Sequence, residues 1–210
     1  IDVLQEENTE DIQKMAAIVP TDTPYLKTSV METFKKRIPW LLLLMISATI
    51  TSQILTNFEN KLASVATLIA FIPMLMGTGG NSGGQSSVTI VRALSLGEIS
   101  LKDIFKVIWK EVRVGIVCGL VLAAVCFVKL LLFDKYVLGN SEITVMISLV
   151  VSLTIVVEVV FSKVIGCCLP IIAKKCGFDP AVMANPFITT ITDAVSLLIY
   201  ILFASVLLVI

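Results

Sequence analysis

One carboxylate, Asp193, stands inside the last apolar stretch of the chain, in the run Asn185-Pro-Phe-Ile-Thr-Thr-Ile-Thr-Asp193 that continues through apolar residues to Ile210. A charge at bilayer depth costs about 2.5–3.5 kcal/mol even on lenient insertion scales, so it persists only where it faces protein, water or an ion. Two readings are open from this residue alone: a group that handles an ion, or a structural aspartate hydrogen-bonded between helices. Asn185, Thr189 and Asp193 are spaced by four, which keeps them on one helical face with a drift of about 40° per step. An amide, a hydroxyl and a carboxylate in one stripe are what a pore-lining helix carries.

A second polar stretch sits in an apolar surround: Pro73-Met-Leu-Met-Gly77-Thr-Gly-Gly-Asn81-Ser-Gly-Gly-Gln85-Ser-Ser87, with five glycines from Gly77 to Gly84. Each glycine weakens a helix by about 1 kcal/mol relative to alanine. In a membrane, small residues let helices approach closely. They also let backbone line a water-filled path. The Asn81 and Gln85 amides favour a polar conduit. The run is not a phosphate loop, because no lysine follows the glycines and no strand precedes them.

The elements that must carry these residues are membrane helices. Hydrophobic residues make up 57% of the 210, and mean hydropathy is +0.97; soluble domains contain about 45–50% apolar residues. Five spans are expected, over residues 38–56, 62–91, 105–133, 142–173 and 181–210, with Pro39 in the first turn of its helix. This start places Asp193 about 18 Å into the fifth span, near mid-bilayer. Lys35, Lys36 and Arg37, the basic residues from Arg92 to Arg113, and Lys174 and Lys175 fall on one side if there are five spans. Positive residues mark the cytosolic side. The N-terminus is therefore expected in the cytosol and the C-terminus outside the cell membrane.

Several function classes drop out. Formal net charge is zero and there is no histidine, so neither a strongly basic nucleic-acid surface nor Ser-His or Cys-His catalysis is supported. The five cysteines form no CxxC pair and read as small packing residues. Glu158 and Lys163, in the fourth span, are five apart and do not face each other on one helix; interhelical partners or a cytoplasmic vestibule are expected for them.

Residues 1–37 are polar, and the chain reads as beginning partway through a longer protein. Asp2, Glu6, Glu7, Glu10 and Asp11 crowd five acids into a helical segment with Thr9 as a possible cap. They form either a solvated face or a site for Mg²⁺ or Ca²⁺. Residues 28–37 are expected to form a helix near the membrane.

On these residues the chain closely resembles the membrane domain of the MgtE family of magnesium channels and transporters. The stretches Pro73 to Ser87, Arg92-Ala-Leu-Ser-Leu-Gly-Glu-Ile99 and Asn185 to Asp193 are similar to the family's second-helix signature, its cytoplasmic continuation and its fifth-helix signature. Thr9-Glu-Asp-Ile-Gln-Lys-Met15 resembles the exit from the cytosolic CBS domain into the connecting plug helix. The resemblance implies two domains: residues 1–37 as CBS exit and plug helix, and residues 38–210 as a five-helix pore domain. It implies an all-α homodimer in the bilayer, with a pore on the dimer axis lined by the second and fifth helices. Asp193 matches the pore Mg²⁺ aspartate, and Asn185, Thr189, Gly77 and Asn81 match its neighbours. Asp2, Glu7, Glu10 and Asp11 match regulatory Mg²⁺ acids. Upstream cytosolic N and CBS domains are implied as partners outside this chain.

The function expected is a Mg²⁺-selective, Mg²⁺-gated channel for magnesium uptake across the plasma membrane; the alternative is a Mg²⁺ carrier coupled to Na⁺ or H⁺. An intramembrane aspartyl protease needs a second catalytic aspartate, and only Asp193 qualifies in one chain. A mere membrane anchor has no use for the stripe at Asn185, Thr189 and Asp193.

Overall fold

The computed structural model describes residues 10–16, 18–20, 24–58, 65–183 and 185–208, and contains helices and no strand among them. Five long helices carry the fold: α1 (Val30–Asn57), α2 (Ile72–Ser95), α3 (Ile104–Val128), α4 (Val145–Lys175) and α5 (Asn185–Leu208). Four helical stretches, Val30–Asn57, Leu101–Val137, Val145–Lys175 and Pro186–Leu208, are long and apolar enough to cross a membrane. The chain is a multi-pass membrane protein.

Helix α1 begins earlier than expected. The Ser29 side chain caps it by accepting from the Glu32 N–H at 3.2 Å, and Glu32 pairs with Lys36 at 3.1 Å one turn on. Residues 30–37, expected as a helix leading into the span, are continuous with the apolar stretch in one helix. Pro39 lies in the helix interior, not in its first turn. None of α1 is buried within the subunit. Its link to the rest runs through α5, where Trp40 meets Phe187 edge-on at 5.7 Å.

Helix α2 follows a short 3-10 turn, Ala66–Phe71, and starts at Ile72; residues 62–64 of the expected span lie outside the described residues. Glycine and serine keep α2 below the hydropathy of the other four stretches. Its surroundings account for this: α4 and α5 pack along it, so Leu75, Gly79, Gly83, Ser86, Ile90 and Leu94 face protein. A helix wrapped by other helices needs little apolar surface of its own.

Helix α4 is central and contacts α2, α3 and α5. Thr144 caps its start, accepting from the Ile147 N–H at 3.2 Å. It ends at Cys176, where Gly177 takes φ +79 and the Phe178 N–H reaches back to the Ala173 carbonyl at 2.9 Å. That left-handed residue with its long return bond is a glycine helix stop. Against α3, α4 approaches very closely: a Cβ on Gly115 or Gly119 would lie 3.0 Å from the Cα of Val160 or Val156. The small residues four apart, Gly115, Gly119 and Ala123, are buried and set that approach.

Helix α3 runs on into a π-helical stretch, Lys129–Val137. Five-residue spacing comes into register there, and the Lys129 ammonium meets Asp134 at 2.8 Å.

The core has two apolar clusters. One gathers Leu68, Leu75, Ile147, Val151, Leu197 and Tyr200; the other gathers Ile90, Leu94, Val107, Cys167 and Ile171. Between them α2, α4 and α5 meet through small and polar residues: Gly79, Gly83, Ser162, Gly166 and Ser196. Gly166 packs directly on the Gly83 carbonyl.

Candidate pore-lining site

Helix α5 begins at Asn185, whose side chain lies outside the described residues, and Pro186 follows where a helix tolerates a missing N–H. The Thr189 and Thr190 hydroxyls donate back to the Pro186 carbonyl at 2.9 and 3.0 Å, and Thr192 donates to the Ile188 carbonyl at 2.8 Å. Thr192 is buried, while Thr189 and Asp193 share a partly exposed face. Asp193 makes no hydrogen bond or ion pair among the described residues. It stands eight residues, about 12 Å, from the start of α5 rather than about 18 Å. The difference arises because residues 180–183 form a 3-10 turn ahead of the helix.

Helix α2 supplies the other half. Gly77, Asn81 and Gln85 recur every four residues and are exposed on the subunit surface, while Gly79, Gly80, Ser82 and Gly83 turn inward. A Cβ at Gly77 would meet nothing within 4 Å. At Gly80 it would lie 3.1 Å from Thr189 Cγ2, and at Gly83 3.2 Å from Thr192 Cγ2. The α2–α5 seam therefore closes at Gly80 and Thr189. Asn81 is the next residue on one side, and Asp193 the next turn on the other. The glycines divide their work: Gly79, Gly80 and Gly83 permit close packing, and Gly77 keeps an outer face bare.

The N-terminal acids are reached only in part. Asp2, Glu7 and the possible cap Thr9 lie outside the described residues. Glu10 and Asp11 open a short helical turn, residues 10–15. Glu10 contacts the Lys14 ammonium at 2.6 Å, and Lys14 also holds Asp179, in the α4–α5 connection, at 2.5 Å. The bonds to Asp179 and then Glu10 raise the Lys14 pKa above its ordinary value, against partial burial. Partial burial pushes the Asp179 carboxyl up, but Lys14 and the Ala181 N–H outweigh it, and its pKa falls below the usual value. No group of three or more His, Cys, Asp or Glu able to hold a metal occurs among the described residues.

Two buried acids were not legible as sites. Glu111 on α3 accepts from the Ser86 hydroxyl of α2 at 2.5 Å. Glu158 is fully buried in α4, so it faces no vestibule; it forms no ion pair among the described residues, and its interhelical neighbour is the Ser196 hydroxyl of α5. Lys163 is buried too, its stem near Gly115. All five cysteines are free.

Residues 72–203 match the family model MgtE, described as a divalent cation transporter. Over 208 residues the chain is 36% identical to the magnesium transporter MgtE of Thermus thermophilus, covering 99% of this chain and 44% of that protein. It is 35% identical to the protein of the same name from Bacillus subtilis, over 95% of this chain and 42% of the relative. It is 29% identical to that of Enterococcus faecalis, over 98% and 43%. The chain thus spans less than half the length of these curated relatives. With the family model matched across α2 to α5, this chain belongs to the MgtE family of divalent cation transporters.

Proposed function

We propose that two copies of this chain form the conducting part of a Mg²⁺-selective channel for magnesium uptake, each contributing five membrane helices, with α2 and α5 of both lining a pore on the dimer axis. The observation that carries this reading is Asp193: a carboxylate without a counter-charge, on the face of α5 that borders the exposed Gly77, Asn81 and Gln85 stripe of α2. Such a surface is ill suited to lipid and well suited to an ion path.

Two Asp193 carboxylates about one axis supply a charge of −2, which balances Mg²⁺. Mg²⁺ holds its water shell tightly and demands octahedral oxygen ligands. Asp193, with Thr189, Asn185 and Asn81 nearby, would hold the ion through its waters, and bare backbone at Gly77 would leave room for that shell. The bound ion in turn stabilises two carboxylates that would otherwise repel each other at low dielectric. The basic clusters at Lys35–Arg37 and Lys174–Lys175 favour a cytosolic N-terminus in the cell membrane. Asp2, Glu7, Glu10 and Asp11 would bind regulatory Mg²⁺ between this segment and upstream cytosolic domains, closing the path when magnesium is plentiful.

Single-channel recording of the full-length protein tests the reading. Mg²⁺ currents independent of Na⁺ and pH gradients are expected. Strict dependence of uptake on either gradient would instead identify a coupled carrier.

A further inference from the structure

Glu158 lies midway along α4, with 0% of its surface exposed and neither carboxyl oxygen hydrogen-bonded. Two hydroxyls beside it are in the same condition: Ser162, one turn on in α4, and Ser196, on α5, are buried and unpartnered. Both border the bare backbone of Gly79 on α2, where a Cβ would lie 3.2 Å from Ser162 Oγ and 2.5 Å from Ser196 Oγ. Ser196 also faces the Glu158 carboxyl. Three helices thus converge on one sealed polar point between the two apolar clusters.

The charged groups around this point are few. From α2 come Gly79 and serines. From α3 the Cys126 thiol lies within electrostatic range, and on α4 itself Lys163 is buried five residues on. From α5 comes Ser196, three residues beyond Asp193. Among the described residues no lysine or arginine, Lys163 included, forms an ion pair with Glu158. An ionised carboxylate sealed here would be an uncompensated buried charge, and such groups take up a proton instead. The close packing at Gly79 leaves no room for a hydrated ion. The two serine hydroxyls could donate to a carboxylate, but two neutral donors do not offset a sealed charge, whereas a neutral acid can donate to the unpartnered Ser196 oxygen.

We propose that Glu158 is held as the neutral carboxylic acid and donates its proton to Ser196 Oγ, tying α4 to α5 one turn beyond Asp193. It is a positioning residue, acting on the ion path through α5. Its effect on conduction rests on the pore reading above, but its protonation does not.

The test is infrared spectroscopy of the full-length protein in lipid at neutral pH, comparing wild type with Glu158→Gln, Ser196→Ala and Asp193→Asn. A protonated-carboxyl C=O band is expected in wild type and in Asp193→Asn. It should be lost in Glu158→Gln and shifted to higher frequency in Ser196→Ala as the hydrogen bond is removed. Glu158→Gln, which keeps a donor, should retain assembly and Mg²⁺ uptake, while Glu158→Ala loses uptake. Absence of the band in wild type, a band insensitive to both Glu158→Gln and Ser196→Ala, or an assembled Glu158→Gln protein as damaged in uptake as Glu158→Ala would each overturn the proposal. Should Glu158→Gln fail to assemble, Ser196→Ala decides: an unmoved band refutes it. Loss of uptake in wild-type channels under all conditions would count against the pore reading and leave the infrared result standing.

Discussion

The Lys14 ammonium lies 2.5 Å from an Asp179 carboxylate oxygen although 165 residues separate them in the chain. This contact joins the segment ahead of α1 to the short connection that leads into α5. Because the Asp179 pKa is lowered, the stability it contributes is present above the ordinary carboxylate range and is lost as pH falls through the lowered value. Because the Lys14 pKa is raised, its contribution is present below its ordinary value and is lost as pH rises through the raised one. The pair therefore holds across neutral pH. Both side chains are partly exposed, at 22% and 36%, so its worth is about 0.2–1 kcal/mol and is screened by salt. Lys14→Met should speed amide hydrogen exchange over residues 10–16, and high salt should do the same to wild type. Exchange unchanged by either would show that the contact does not hold the segment.

The packing glycines should respond unlike Gly77. A methyl group on Gly166 would strike the Gly83 carbonyl, and neither backbone can yield cheaply. Gly166→Ala should destabilise the folded protein by about 1–3 kcal/mol or more. Gly77→Ala has open space around it and should leave thermal stability unchanged or raise it by up to about 1 kcal/mol through helix propensity. Equal melting temperatures for the two variants in detergent would contradict the described α2–α4 approach.

The outer face of α2 should be reachable from water. In a cysteine-free background, Asn81→Cys and Gln85→Cys should react with a charged thiol reagent, and Ser82→Cys and Ser86→Cys should not, because the latter pair faces protein. Hydrated Mg²⁺ should slow the Asn81→Cys reaction. Equal reactivity at all four positions would remove the distinction between lining and packing.

Tyr200 donates to the Leu68 carbonyl at 2.9 Å and ties α5 to the turn before α2. Tyr200→Phe should lower stability by about 0.5–1.5 kcal/mol, read as an earlier unfolding midpoint. An unshifted midpoint would mean that another group satisfies Leu68.

The helices were legible because long apolar stretches leave few alternatives, and the shared, partly exposed face of Thr189 and Asp193 because spacing by four defines a helical face. Boundaries were less so. Ser29 and the Glu32–Lys36 pair carry α1 upstream of residue 38 through the helix expected to lead into it, since capping sets the start where hydropathy does not. The glycine run could be read as packing or as lining, and sequence could not divide it, because the division depends on where α4 and α5 lie. Gly115 and Gly119 carried a small-residue spacing that signals close α3–α4 packing. Glu158 carried no such signal: its surroundings, Ser162 and Ser196, come from two helices and meet only in the folded chain.

The central claim is that Mg²⁺ passes along the face of Asp193. The direct measurement is Mg²⁺ influx into liposomes holding the full-length protein, wild type against Asp193→Asn, with dimer assembly checked in the same preparations. Replacing the carboxylate removes the charge that balances the ion, so selective influx should be lost while assembly is kept. Wild-type Mg²⁺ influx through a correctly assembled Asp193→Asn protein would contradict the account.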